Sequence, residues 1–299
     1  MQSPDGECPL MHDQDATSSA ADEYRRRSAQ NWDTAAPGWE SERDRVRAMS
    51  RPLTAWLVAN LDLRPGVTVL EVAAGPGDTG LEVAATLGGD GTLILSDRSP
   101  AMVEVARRAV AAAGLGNVEL RVLDAESMDL ADAVVDRVVC RFGYMLVADP
   151  AAAFRETRRV LRPGGRLAFA VWGTAAENEW ATTLWDVLER LTDLPPTQPG
   201  GPGMFALGDR DALASLVTAA GFEVRAMEPI AVEWTYTSFD DYWRAQSSLN
   251  GGLARLLPTV APAQVDELTN AVRAAVERFR VGDGYRLAGV TVGVAADAM

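Results

Sequence analysis

Val69, Leu70, Glu71 and Val72 form a short apolar run that passes through Ala73 and Ala74 into a turn carrying Gly75, Gly77 and Gly80. A helix-forming stretch begins at Asp78, and a second apolar run follows and ends in Asp97. Glycines where a strand meets a helix let a ligand approach the backbone, and an acid ending the next strand can hold a ribose diol. This pairing commits the chain to a sheet with crossover helices and makes its strand ends the expected site for a nucleoside.

The same alternation continues. Strands are predicted over 67–72, 92–96, 118–123, 134–140 and 166–172, with helices over 78–87, 99–113 and 150–161. Pro100 suits a first helical turn, while Pro163, Gly164 and Gly165 stop the helix before the fifth strand. Strands alternating with helices at this spacing predict a parallel sheet covered on both faces. Beyond Trp172 the pattern is interrupted twice, so the division reads as follows: a disordered tail 1–20, an N-terminal helical lid 21–60 and a nucleoside-binding core 61–175. A cap insertion 176–207, a core continuation 208–237, a helical cap insertion 238–282 and a final core strand 283–299 complete it. The lid is expected to break at Pro37 and Gly38. Lid and insertions are read as a cover over the strand ends, and a homodimer contact is the other use open to them.

Composition narrows the chemistry. A net charge of −14 disfavours nucleic acid and anionic membrane as partners, and no apolar run is long enough to span a bilayer. Cys8 and Cys140 are the two cysteines, which suggests neither a disulfide framework nor a structural zinc site, so no metal is expected. The one histidine, His12, lies in the polar N-terminal stretch, so a histidine-based triad is hard to build in the body. Lysine is absent, which removes Schiff-base and P-loop lysine chemistry. A cytoplasmic protein is expected, and abundant Ala and Arg without Lys hint at a GC-rich bacterial genome.

Gly75, Gly77 and Gly80 with Asp97 also satisfy a dinucleotide fingerprint, so an NAD(P)-linked oxidoreductase stays in view. Three features weigh against it. Glu71 is an acid at the end of a strand where dinucleotide folds are apolar, suiting a ligand with an ammonium group. Asp124, Ala125 and Glu126 add acid after the third strand, and residues 159–167 carry a basic and glycine-rich turn into the fifth strand. In this set and order the chain resembles the class I S-adenosylmethionine-dependent methyltransferases, in wording close to the ubiquinone/menaquinone-biosynthesis C-methyltransferase branch. The resemblance implies a Rossmann-like α/β fold with a seven-stranded sheet, the last strand antiparallel, and S-adenosyl-L-methionine as cofactor. It departs from the commonest pattern at Ala73, where a glycine is usual.

The resemblance further implies Asp97 on the ribose, Asp124 and Ala125 beside adenine, and Arg141 at a cofactor-lining position. Backbone amides around 75–78 would receive the cofactor's carboxylate, and Met102 and Ala125 would sandwich the base. Each has a plainer use: the glycines in a tight turn, Met102 in the core, Glu126 as a solvated acid, Arg98 as a surface arginine. Aromatic and apolar candidates for the acceptor come from three places: Tyr24, Trp32 and Trp39; Phe142, Tyr144 and Met145; Trp172, Phe205 and Trp243. As a group they imply a small, largely apolar or aromatic acceptor, although each would serve equally well in a core. Alignment alone can supply about 7–11 kcal/mol, so a dedicated base is not obligatory, and among Asp, Glu and Tyr the sequence selects none. A non-methylating enzyme or a regulatory binding module on the same fold remains the alternative.

Overall fold

The computed structural model describes residues 10–192 and 201–299. Helices α1 (Leu10–Ser41) and α2 (Arg43–Asn60) open the chain. Regular alternation follows as β1 (Thr68–Glu71), α3 (Asp78–Leu87), β2 (Thr92–Asp97), α4 (Pro100–Ala112), β3 (Val118–Val122), β4 (Val135–Arg141), α5 (Pro150–Val160) and β5 (Leu161–Trp172). After α6 (Glu179–Leu191), α7 (Arg210–Ala219) and β6 (Phe222–Tyr236) come α8 (Phe239–Leu249), α9 (Gly251–Leu256) and α10 (Pro262–Val276). A two-residue strand, β7 (Arg280–Val281), precedes the last strand, β8 (Gly284–Ala298).

The strands lie in the order β3-β2-β1-β4-β5-β8-β6, with β7 folded back on β8 to make an eight-stranded sheet. The β1–β2, β2–β3, β1–β4 and β4–β5 pairings are parallel, whereas β8 runs antiparallel to both β5 and β6. The sheet is therefore the expected Rossmann-like one, enlarged by the short β7. Successive side chains of a strand face opposite sides, and here both sides are covered. Val69, Leu93, Leu95, Val139, Ala168 and Ala170 pack with Leu53 and Leu57 of α2 and with Leu61 just after it. Leu70, Val138, Leu167 and Phe169 pack with Phe154 of α5 on the other face. Burial on two faces is why these strands read as nearly unbroken apolar runs. The order of strands reverses direction at β1, and the crevice outside the ends of β1 and β4 is the topological switch point.

Two expectations about the N-terminal region change. The first helix does not break at Pro37 and Gly38 but runs through them to Ser41. Proline removes one N–H from the helix, and Gly38 is used elsewhere: a β-carbon there would collide with the carbonyl of Ser248 at the end of α8. Gly251 lies similarly close to the Asn31 carbonyl, and Trp39 Nε1 donates to the Leu249 carbonyl at 3.1 Å. The two glycines thus let α1 lie directly on α8 and α9. The helix also reaches back to Leu10, into the stretch read as a disordered tail; residues 1–9 lie outside the described residues, as does the proline- and glycine-rich stretch up to residue 200.

Candidate active site

A cavity opens at the switch point. Its floor comes from the turn after β1 (Ala73, Ala74, Gly75, Pro76), one wall from Asp97, Arg98 and Met102, and another from Leu123, Asp124 and Ala125. Arg141, Phe142, Gly143, Leu146 and Val147 after β4 close the far side, and Ser28, Trp32 and Trp39 of α1 roof it.

The three glycines of the turn have different reasons to be glycine. Gly75 has a φ of +56°, and a β-carbon there would meet nothing within 4 Å, so its bare backbone faces the opening. Gly77, with a φ of +85°, would press a β-carbon to 2.9 Å from Leu95 Cδ1 and 3.2 Å from Ala106 Cβ; it lets the turn pack on β2 and α4. Gly80 makes room for the carboxyl of Glu71. Gly77 thus serves close helix–strand packing and is not among the residues lining the cavity.

Asp97, at the end of β2, accepts the Gly75 amide on Oδ2 and the Ser99 amide on Oδ1, each at 2.8 Å. Burial raises its pKa, and the Ser99 and Gly75 amides oppose that rise. Each carboxylate oxygen keeps a lone pair for a further donor. The anion-receiving amides expected around 75–78 are partly engaged within the turn: Gly75 N–H serves Asp97, and Gly77 N–H donates to the Ala74 carbonyl at 3.0 Å. Arg98 Nη2 lies 3.7 Å from Asp124 Oδ2, so these two charges sit together on the cavity wall.

Glu71 does not line the cavity. It is buried under the first turn of α3, and burial pushes its carboxyl up to about 8, against the attraction of Arg141. Arg141 carries its guanidinium between this buried acid and the cavity: Nε donates to Thr79 Oγ1 at 2.9 Å, while Nη1 is buried without a partner. Asp78, pushed upward by burial and held back first by Arg43, likewise has both carboxyl oxygens buried without hydrogen-bond partners. Asp78 is ion-paired with Arg43 at 3.4 Å and does not line the cavity; Arg141 does, and an unsatisfied buried donor there is costly unless a ligand completes it. A carboxylate on the ligand fits this donor.

Other predicted residues lie elsewhere. Glu126 leaves the adenine side and binds α1: its carboxylate accepts Arg25 Nη2 at 2.8 Å and the Asp149 amide at 2.8 Å. Tyr24 donates its hydroxyl to the Leu146 carbonyl at 2.9 Å, beside the cavity and not on it. Tyr144 is fully buried, hydrogen-bonded with Thr157 and packed on Phe154 and Phe169; Met145 is also buried. Trp172 stands behind Phe142, with ring centroids 4.7 Å apart and planes within 4°. Phe205 packs on the core and Trp243 lies parallel to Phe239 in the cap. The cavity also uses Ser28, Leu123, Leu146 and Val147, which sequence reasoning missed. Ser28, Trp32 and Trp39 share one helical face at spacings of four and seven, a signal that was present in the chain. Among the described residues no group of His, Cys, Asp and Glu is placed to hold a metal, and no helix is long and apolar enough to cross a membrane.

A doubly covered parallel sheet closed by an antiparallel strand, with a buried acid ending β2 and a glycine turn ending β1, defines a nucleoside-binding enzyme of the Rossmann-like class. Residues 69–165 match the family model of a methyltransferase domain. The chain is 32% identical over 176 residues to the ubiquinone/menaquinone biosynthesis C-methyltransferase UbiE of Acidiphilium cryptum, covering 56% of this chain and 70% of that one. It is 30% identical over 171 residues to the same enzyme of Idiomarina loihiensis, covering 54% and 68%. Among solved structures, a candidate methyltransferase of Bacillus halodurans C-125 superposes with a TM-score of 0.57 at 21% identity, over 82% of this chain and 97% of that one. The chain belongs to the class I S-adenosylmethionine-dependent methyltransferases, on the branch of the ubiquinone/menaquinone C-methyltransferases. It is an S-adenosylmethionine-dependent enzyme.

Proposed function

We propose that this enzyme transfers the methyl group to a small, largely apolar or aromatic acceptor of the quinol kind. The observation that carries this reading is the division of one cavity by the switch point. Asp97, Arg98 and Asp124 bring charge to the side of β2 and β3, whereas beyond Arg141 at the end of β4 the wall is apolar, made by Phe142, Leu146 and Val147 under Trp32 and Trp39.

In this reading Asp97 accepts both ribose hydroxyls, already oriented by the Gly75 and Ser99 amides. Ala125 and Met102 flank the base, with Asp124 at its edge. Arg141 offers its unpartnered Nη1 to the carboxylate of the cofactor, positioned by Thr79 and by the buried carboxyl of Glu71. The cofactor, when bound, provides a methyl group on a positively charged sulfur that is already a good leaving group. The protein's share is to align the acceptor, exclude water by closing α1 over the site, and leave the apolar side free of competing nucleophiles. A quinol hydroxyl ionises in solvent before the acceptor docks, and the ring proton displaced by the methyl leaves to solvent when the site reopens, so no protein base is assigned.

The test is to incubate the enzyme with S-adenosylmethionine and 1,4-naphthoquinol under reducing conditions and follow product mass and S-adenosylhomocysteine together. A gain of one methyl on the quinol with equal S-adenosylhomocysteine is expected. Tight cofactor binding with no methylated product would overturn the acceptor class and favour a binding or non-methylating role.

A further inference from the structure

Phe142 follows β4 directly and has a φ of 67°, a left-handed backbone that a bulky side chain rarely adopts. Such outliers persist only where the surroundings over-determine them, and they gather at functional sites. Here the determinants are on all sides. The Phe142 amide donates to the Ala170 carbonyl of β5 at 2.9 Å. Its ring lies flat on Trp172, which meets Trp180 edge-on at 5.2 Å between centroids, and Trp180 in turn leans on Trp234 at 5.7 Å. The guanidinium carbon of Arg141 is 5.8 Å from the ring centroid, so the ring borders the buried polar cluster as well as the apolar side of the cavity.

We propose that Phe142 is the specificity-determining residue of the acceptor side: pinned on Trp172, it forms a rigid flat wall that selects flat aromatic acceptors and sets their orientation. The backbone strain is what turns the ring onto that wall. An unstrained residue at the end of β4 would lack this orientation, whatever its size. The inference rests on the acceptor side assigned above but not on turnover.

It is tested by binding to the full chain saturated with S-adenosylhomocysteine. The probes are 2-methyl-1,4-naphthoquinone and the saturated bicyclic ketone 1-decalone, measured by equilibrium dialysis. The wild type should prefer the naphthoquinone. Phe142→Leu should weaken naphthoquinone binding five- to tenfold with little effect on decalone, since ring–ring contacts add to simple burial. Phe142→Tyr should stay within twofold for both. Phe142→Gly, which relieves the φ while giving up the ring's packing on Trp172, should lose the preference as Phe142→Leu does, with its folding checked by circular dichroism. All three should bind S-adenosylhomocysteine within threefold of wild type. An unchanged preference in the Leu and Gly variants, a parallel loss of S-adenosylhomocysteine, or no naphthoquinone preference in the wild type would overturn the proposal. Failure of quinol methylation alone would instead count against the acceptor named above.

Discussion

A β-carbon on Gly143 would stand 2.5 Å from Cβ of Ala73 and 2.6 Å from Sγ of Cys140, so the glycine after Phe142 makes room for both. Ala73 itself has a φ of 52°, a conformation that costs a non-glycine residue about 1 kcal/mol or more. Gly143→Ala is expected to destabilise the fold by about 1–3 kcal/mol through overpacking. Ala73→Gly should be neutral or stabilising. The double variant should recover part of the loss but not all, because the new methyl would also lie 2.6 Å from Cys140 Sγ. Urea denaturation of the four proteins reads this coupling; strict additivity would show that the two backbones do not meet as described.

Asp97 links the β1 turn to the α4 cap through its two amide contacts, so removing it affects both site and loop. Asp97→Ala should weaken S-adenosylhomocysteine binding by about 2–4 kcal/mol, since two ribose hydroxyls and two backbone amides lose a charged acceptor. Asp97→Asn, which keeps one acceptor oxygen, should fall between. Calorimetric titration checks both, and full affinity in Asp97→Ala would remove Asp97 from the ribose.

Helix α1 is tied over the cavity by Arg25 on Glu126, by the Ser99 hydroxyl donating to Asp33, and by Arg108 on Glu40. Arg25 is partly exposed, so its pair with Glu126 contributes on the order of 1 kcal/mol. Arg25→Gln should therefore speed S-adenosylhomocysteine release roughly fivefold, and the wild-type rate should rise with added salt while the variant's rises less. Stopped-flow tryptophan fluorescence would detect it through Trp32 and Trp39, which roof the site. Identical release rates would mean that α1 does not gate exchange.

The parts of the fold that read correctly were those where local pattern and tertiary demand agree. Helix α3 was legible to the residue, because a glycine cap and a short apolar helix leave little freedom, and Asp97 was legible because it ends an apolar strand. The misread positions all depend on contacts distant in sequence. Gly38 looks like a helix breaker until Ser248 lies against it. Tyr144 looks like a pocket aromatic, yet its hydroxyl finds Thr157 inside the core. Glu126 looks like an adenine-side acid, but Arg25, a hundred residues away, takes it. Glu71 stands out in the sequence as an acid ending an apolar strand, and only the space left by Gly80 shows that it points beneath α3.

That buried acid predicts a particular dependence of stability on pH. Burial pushes the Glu71 carboxyl up to about 8 from an ordinary 4.5. The folded protein therefore binds this proton more tightly than the unfolded chain, and stability falls as pH rises between those values. Burial raises Asp78 and Asp97 too, with the same sign. Carboxylates held low by ion pairs, such as Glu156 beside Arg159 and Glu177 with the Thr174 amide and Arg210, lose their contribution only below pH 4.5, outside this window. The thermal midpoint should thus decline from pH 5.5 to pH 8.5. Glu71→Gln, a neutral isostere, should flatten that decline while leaving the midpoint at pH 5.5 nearly unchanged. A decline of equal size in the variant would mean that Glu71 is already ionised at neutral pH and paired outright with Arg141.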